Sequence, residues 1–429
     1  MGYSQGDNIT VKVGTAKIKV KVSVGSHGKS IFENALLLES DTTWLGICGH
    51  RLRIMAESRW SVVIGPIIGI FTYHDKNLKL SSPFGAQNST LKNLALMGHK
   101  CKALVYVFTP EDIKGNSVIW GRTIDEKSHG WKQRPCPMPN VVYDRIPTRK
   151  DEAKIAVQKA KEKLIKREGM KYFNPQFLDK WHVYKFLVPN IACREFLPET
   201  TLYTDYSTVI NYLKKYRLVY LKPTASSIGR GIIRVELHSS KVLVSYKNNK
   251  GKNVQRVISS LAVFKRNLIS LIGKRIYLVQ QGILMAKYKG NPFDIRLLAQ
   301  KDETGKWQVT GMAARVAGRG SITTHIPNGG SSMPLEKVLI YAFKNTGVEP
   351  VEIVHSIDRL ATTLPGVLET ASGKLFGELS MDIGVDTTGR AWVYELNSKP
   401  FRFDEPEIRY KSWENLIQYA SMLSGFSKE

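Results

Sequence analysis

A lysine at the end of an apolar strand, followed at once by a small-residue loop, constrains this chain more than any other feature. Tyr220-Leu221-Lys222-Pro223 runs into Thr224-Ala225-Ser226-Ser227-Ile228-Gly229-Arg230-Gly231, and Ile232-Ile233-Arg234-Val235-Glu236-Leu237 reads as a second strand. Glycine and serine let backbone N–H groups approach anionic oxygens closely, so such a loop can fold over a polyphosphate. Lys222 adds positive charge at its edge. Strands on both sides make the loop a hairpin lid, whereas a Walker-type loop runs from strand into helix and ends in Gly-Lys-Ser/Thr. Lys222, Ser226, Ser227, Gly229 and Gly231 are therefore the candidate phosphate-side residues. Gly25-Ser26-His27-Gly28-Lys29-Ser30 imitates a Walker loop, but Ser23 stands where its first glycine is needed.

A second hairpin carries the acids. Leu375 to Asp386 leads into the turn Thr387-Thr388-Gly389, and Arg390 to Asn397 returns. With the turn centred between Thr388 and Gly389, Asp382 lies opposite Glu395, their Cβ atoms about 5 Å apart on one face. Asn397, two residues on, points to the same face. Two carboxylates and an amide oxygen suit Mg²⁺, or Mn²⁺ in its place, which takes one or two carboxylates plus substrate phosphates. The plainer alternative is a solvated face that happens to carry acids; the flanking Trp392, Val393, Tyr394 and Leu396 weigh against it. Between the hairpins, Gln280, Gln281 and Ile283 close a strand whose backbone can meet an adenine edge. Arg296 and Arg315 lie on strands, where arginines beside a metal-phosphate site clamp a phosphoryl group and its developing charge. Singly, each could be an ion-paired or surface arginine; the ligand role is the favoured reading for both.

The rest of the chain bounds these readings. Lys and Arg total 63 against 37 acids, a formal net charge of +26, and such a field attracts polyanions. The lysines are spread without a basic arm or zinc module, which disfavours specific nucleic-acid reading. Four scattered cysteines imply reduced thiols in a cytosol-like compartment. The apolar run from Trp60 to Phe71 is too short to span a bilayer and reads as a buried strand and turn. Alternation from Ile9 to Val24, broken at Gly14, predicts half-buried strands. The Trp44 to Cys48 stretch extends this β character. A helix-like Leu91 to Gly98 segment before a buried strand at 103–108 marks a small α/β unit. Val157, Ala160 and Leu164 mark one face of a charged helix over 150–169, its lysines a solvated face. The expected organisation is a β-rich region over 1–64, a small α/β domain over 65–165 and a larger α/β (α+β) domain over 166–429.

Taken in order, the Leu221-Lys222-Pro223 lid, the Asp382 strand and Glu395-Leu396-Asn397 resemble the ATP-grasp superfamily over roughly residues 170–425. Gly65-Pro66-Ile67-Ile68-Gly69-Ile70, Val141-Val142-Tyr143-Asp144-Arg145-Ile146-Pro147 and Tyr172-Phe173-Asn174-Pro175 are similar to the YheC/YheD endospore coat-associated proteins. The superfamily resemblance implies an ATP-grasp fold behind a small pre-ATP-grasp domain. It implies ATP as cofactor, Lys180 and Lys222 on its phosphates, Asp382, Glu395 and Asn397 on Mg²⁺, and adenine at Gln280 to Ile283. Gln stands there where relatives often carry an acid. The expected activity is a ligase that makes an acyl phosphate on a substrate carboxylate and passes it to an amine or similar nucleophile. The family resemblance implies a sporulation context, in the cytoplasm of mother cell or forespore or associated with the spore coat. A coat-associated assembly protein without turnover, its charge held to anionic spore components, is the alternative.

Overall fold

The computed structural model describes residues 8–21, 52–74, 82–116, 118–125, 128–224, 231–239, 241–248, 251–318, 324, 330–401 and 403–426. The lid residues Ser226, Ser227 and Gly229, the Walker-like stretch 25–30 and the stretch 44–48 lie outside them. Four sheets organise the described chain. The first has the order β2-β1-β4-β3, from β1 (Asn8–Val13), β2 (Ala16–Lys21), β3 (Arg53–Ser58) and β4 (Ser61–Gly65). The break at Gly14 is a turn: its φ is +58°, and a Cβ there would lie 1.8 Å from the Met138 carbonyl oxygen.

The stretch 60–71 reads in sequence as one buried strand and turn. It is two strands in different sheets, β4 and β5 (Ile67–Phe71), joined through Pro66 and buried along their whole length. The second sheet adds β6 (Leu104–Phe108), β7 (Ile113–Lys114), β8 (Val118–Ile124), β9 (Trp131–Pro137), β10 (Val141–Asp144) and β11 (Lys171–Phe173). β11, β10, β5 and β6 run parallel. Parallel strands covered on both faces need continuous apolar runs, and Leu104-Val105-Tyr106-Val107-Phe108 is one. Helix α1 (Asn88–Lys100) joins β5 to β6; α2 (Arg149–Glu152) and α3 (Ile155–Ile165) join β10 to β11. Val157, Ala160 and Leu164 of α3 face inward as their spacing predicts. Lys161 departs from the solvated-lysine reading: it is buried in an ion cluster.

After α4 (Lys180–Leu187) and α5 (Ile191–Arg194) comes the third sheet, antiparallel throughout, in the order β12-β17-β13-β14-β15-β16. Its strands are β12 (Thr200–Leu202), β13 (Leu218–Pro223), β14 (Ile233–His238), β15 (Lys241–Lys247), β16 (Asn253–Ile258) and β17 (Tyr277–Gln281). Helices α6 (Tyr206–Tyr216) and α7 (Leu261–Ile272) cover one face, packing Val209, Leu213, Phe264 and Leu268 on Val219, Leu221, Val235 and Val244. The fourth sheet has the order β21-β20-β19-β22-β23, with β18 (Lys287–Tyr288) beside β19. It comprises β19 (Asn291–Lys301), β20 (Trp307–Val316), β21 (Ser331–Met333), β22 (Glu378–Val385) and β23 (Ala391–Asn397). Helices α8 (Leu335–Phe343) and α9 (Pro350–Ser372) bury its apolar face; Ile353, Ile357, Leu360, Leu364 and Leu368 of α9 recur at three- and four-residue spacing. Helix α10 (Pro406–Leu423) returns to the second sheet, where Tyr419 meets Phe173 edge-on.

The seam between the second and fourth sheets is polar and closed. Asp144, wholly buried, accepts from Lys399 at 2.6 Å, from Lys161 at 3.1 Å and from the Tyr172 hydroxyl at 2.9 Å. Both lysines also reach Glu152, at 2.9 and 3.1 Å. Asn174, at φ +54°, donates to the carbonyls of Glu378 and Ser398 and accepts from the Gly377 amide. Tyr143 donates to the Glu378 carboxylate, which Gln300 also meets at 3.2 Å; burial raises the Glu378 pKa despite Arg145 nearby. Removing one partner of a buried cluster strands the others, whereas removing a matched pair does not. Lys399→Met should therefore lower stability in urea unfolding by about 3–5 kcal/mol. The Asp144→Asn, Lys399→Met double variant should lose less than the sum of its singles.

Candidate active site

The fourth sheet is apolar on one side and charged on the other. Period-2 alternation puts Ile295 and Leu297 of β19, Leu379, Met381 and Ile383 of β22, and Ala314 of β20 against the helices. The same alternation turns Asp294 and Arg296, Arg315, Ser380 and Asp382, and Glu395 and Asn397 to the opposite side. Cross-strand pairing then brings Asp294 to Arg315, Arg296 to Asp382 and Asp382 to Glu395. The Asp382–Glu395 pairing is the one counted from the turn, although the hairpin reaches it by another route. Val385 pairs with Ala391, and a bulge between Asp382 and Ile383 leaves Tyr394 as the extra residue.

The charges interlock. Asp382 Oδ1 takes Arg296 Nη1 at 3.0 Å and Arg315 Nη2 at 3.1 Å. Arg315 also grips Asp294 with two parallel bonds, Nε to Oδ1 at 2.8 Å and Nη2 to Oδ2 at 2.7 Å. Thr324 donates to the same Asp294 oxygen. Burial alone would lower the Arg315 pKa, but the carboxylates of Asp382 and Asp294 outweigh it and raise it. Its guanidinium thus bridges Asp294 and Asp382. Glu395 Oε1 takes Lys180 Nζ at 3.1 Å. Lys180 opens α4, whose first turn is capped by the Asp179 carboxylate accepting from the Trp181 and His182 amides.

The third sheet faces this charged side. β13 pairs antiparallel with β14, so the described ends of the lid stand on two strands of a hairpin. Gly231 closes it at φ +77°, where a Cβ would lie 2.8 Å from Arg275 Nη1 and 3.0 Å from the Pro223 ring. Lys222 leaves the bare face of β13 with its Nζ 5.0 Å from the centre of the Tyr394 ring. Burial pushes its pKa down from 10.5 to about 8; Glu395 and Asp382 pull it back up, and Lys180 adds to the lowering.

The hinge residues sit apart from these charges. Gln280 Nε2 donates to Thr200 Oγ1 at 3.0 Å, and Gln281 Oε1 accepts the Glu199 amide at 3.1 Å, so both side chains hold edge strand β12. Ile283 is buried just beyond β17. Sequence reasoning passed over Asp294, Ser380 and Tyr394. Asp294 was within reach, because it stands two residues before Arg296 on one strand.

The donor set fits Mg²⁺. Among the described residues no three His, Cys, Asp or Glu side chains gather as a metal group; Asp294 is gripped by two bonds from Arg315, and the carboxylates offered to a metal are the pair Asp382 and Glu395. That suits a hard cation that keeps water and phosphate oxygens in its shell. Ser380 Oγ, buried on the same face across from Asn397, makes no hydrogen bond in the structure, which leaves an acceptor for such a shell.

A glycine hairpin rooted on a lysine, facing an Asp/Glu strand pair across a charged cleft, defines an ATP-grasp fold. The chain belongs to the YheC/D like ATP-grasp family, whose model matches residues 169–423. It is 29% identical to the endospore coat-associated protein YheD of Bacillus subtilis (strain 168), covering 96% of this chain and 90% of that protein. It is 27% identical to YheC of the same organism, covering 69% and 80%. Among solved structures, D-alanyl-alanine synthetase A from Vibrio cholerae superposes with a TM-score of 0.45 at 10% identity, covering 84% of this chain and 98% of that one.

The unfolded chain keeps Lys222 at its ordinary value, so between about pH 8 and 10.5 the unfolded state binds more protons than the folded one. The buried ammonium therefore costs stability at neutral pH, and the cost fades as pH rises through that window. Lys222→Met should stabilise the protein at pH 7 by on the order of 2–3 kcal/mol. The gain should shrink toward pH 10 in urea titrations.

Proposed function

We propose that the chain is an ATP- and Mg²⁺-dependent ligase that activates a carboxylate as an acyl phosphate and joins it to an amine or similar nucleophile. The observation that carries this reading is the cross-strand Asp382–Glu395 pair facing Lys222. Asp382, Glu395 and Asn397 would hold Mg²⁺, which when bound neutralises charge on the β- and γ-phosphates. Lys180 and Lys222 bind phosphate oxygens, Lys180 exchanging Glu395 for them as nucleotide enters. The Ser226 to Gly231 lid covers the phosphates and excludes water, and the strand end at Gln280 to Ile283 receives the adenine.

The substrate carboxylate oxygen attacks the γ-phosphorus as the bond to the β-bridging oxygen breaks, and ADP leaves. The nucleophile then adds to the acyl carbon, loses its proton, and phosphate departs with the bonding electrons. Arg296 stabilises the transferring group. Arg315, spent on Asp294 and Asp382, reaches it through Nη1 or acts by holding Asp382. No protein nucleophile is needed; the work is positioning and charge stabilisation.

The 29% identity with YheD, an endospore coat-associated protein, over 96% of the chain supports a sporulation context; the cytoplasm of mother cell or forespore is where a ligase supplied with ATP would act. The same relative's name favours a second reading, a coat-associated assembly protein without turnover.

ADP release with panels of carboxylates and amines tests the first reading. Glu395→Gln should slow it by about a hundredfold or more, and Mg·ATP should bind wild type better than the Lys222→Ala, Glu395→Ala double variant. Equal binding would sink the catalytic reading. Full rescue of spore assembly by Glu395→Gln would favour the scaffold.

A further inference from the structure

Residues 206–293 hold seventeen Lys and Arg and one acid, Glu236. This stretch builds most of the third sheet and both its helices. What sets it apart is the near absence of carboxylates. The bare face of the sheet looks into the cleft, so cations on the helix-bearing face do not belong to the site. On that outer face Lys214, Lys215, Lys265, Arg266 and Lys274 are exposed, and Lys215 pairs with Glu199 at 2.7 Å.

Helix α7 gives this face its chemistry. Phe264, Leu268 and Ile272 are buried against the sheet. At 100° per residue the opposite side presents Ala262, Val263, Arg266, Ile269 and Ser270, all exposed, while Lys265, also exposed, borders the buried stripe with its ammonium 6.0 Å from the centre of the Tyr206 ring. Ile269 and Leu261 are each 53% exposed, and Lys274 and Ile276 continue the mixture past the helix end, Ile276 at 66%. One exposed aliphatic residue is ordinary. The apolar face of α7 is taken up by its own sheet, and what the outer face offers is cations with exposed aliphatics beside them and no acid on the helix, a surface complementary to an anionic lipid headgroup layer. A single-stranded nucleic-acid surface would stack bases on aromatic side chains, and the outer side of α7 carries none. No described helix is long and apolar enough to cross a membrane, so contact is on the surface.

We propose that the outer face of α7 docks this subdomain on an anionic lipid bilayer, with Arg266 at the centre of the contact reaching headgroup phosphates, Val263 and Ile269 on either side of it at the acyl boundary, and Lys265 at the edge of the patch. The charged cleft lies on the other side of the sheet and stays open to water. The inference stands apart from the ligase reading, since it uses none of the site residues.

Sedimentation of the full chain with vesicles tests it, using phosphatidylcholine alone or with about one third phosphatidylglycerol at about 0.15 M salt. Wild type should partition onto the anionic vesicles only. Each cation at the surface is worth about fivefold, so K265Q/R266Q should bind roughly 25-fold more weakly. V263S/I269S should bind several-fold more weakly while still weakening with salt. Both should melt with wild type, and R266E alone serves if a double variant does not. Equal partition onto neutral vesicles, or an unchanged charge variant, overturns the proposal. So does wild-type behaviour of V263S/I269S, or tighter binding to duplex DNA than to vesicles at the same salt, because the face would then be reading a soluble polyanion.

Discussion

Three buried charges, Asp144, Lys161 and Lys399, with the half-buried Glu152, fix the second sheet to the strand pair that carries the site. Charges of this kind are tolerated in a protein interior only when each has partners enough to replace water. Here both lysines reach both carboxylates, and Tyr172 adds a hydroxyl. Lys399 follows Asn397 by two residues, so the cluster also sets where the end of β23 lies. Apolar packing alone would leave that end free to slide, because hydrophobic contact has no direction. The ion cluster and the Asn174 hydrogen bonds give the seam a single arrangement.

The candidate site uses the same economy of alternation. One side of the fourth sheet is a hydrocarbon surface for α8 and α9; the other is a ladder of opposite charges from Arg315 and Asp294 through Asp382 and Arg296 to Glu395 and Lys180. Lys222 stands against this ladder from the third sheet, in a setting that disfavours its own charge. An anion beside such a lysine would replace the water that its ammonium has lost. The cost in stability and the readiness to bind have one cause, the withdrawal of an ammonium group from water.

Much of this was legible in the sequence, and the limits follow from range. Lys222 stands out because its signal is local: a strand end, then a loop of small residues. Asp382 and Glu395 could be paired by counting outward from a turn. That count succeeds through two departures that cancel, a turn centred half a residue early and a bulge at Tyr394. The seam was not legible as a seam. Tyr143, Asp144, Arg145 and Asn174 carry a family resemblance, but the partners that tie them to the fourth sheet, Glu378 and Lys399, lie more than 200 residues away along the chain. Lys161 looked solvated for a different reason: Asp144 is near in sequence but on another element, and the neighbours of Lys161 on its helix say nothing of it. The hinge glutamines show the converse limit: sequence places them at the end of β17, while their side chains turn to β12.

One strand joins these themes. Glu378, Ser380 and Asp382 follow one another on a single face of β22, the first in the seam and the last in the charge ladder. A one-residue shift in a strand exchanges its two faces. An insertion or deletion between 378 and 382 would thus drive either the seam carboxylate or the site carboxylate into the hydrocarbon layer under α9. Composition along β22 can drift at the apolar positions, but its length between those two acids cannot, and the five-residue interval is as much a part of the site as the side chains that bound it.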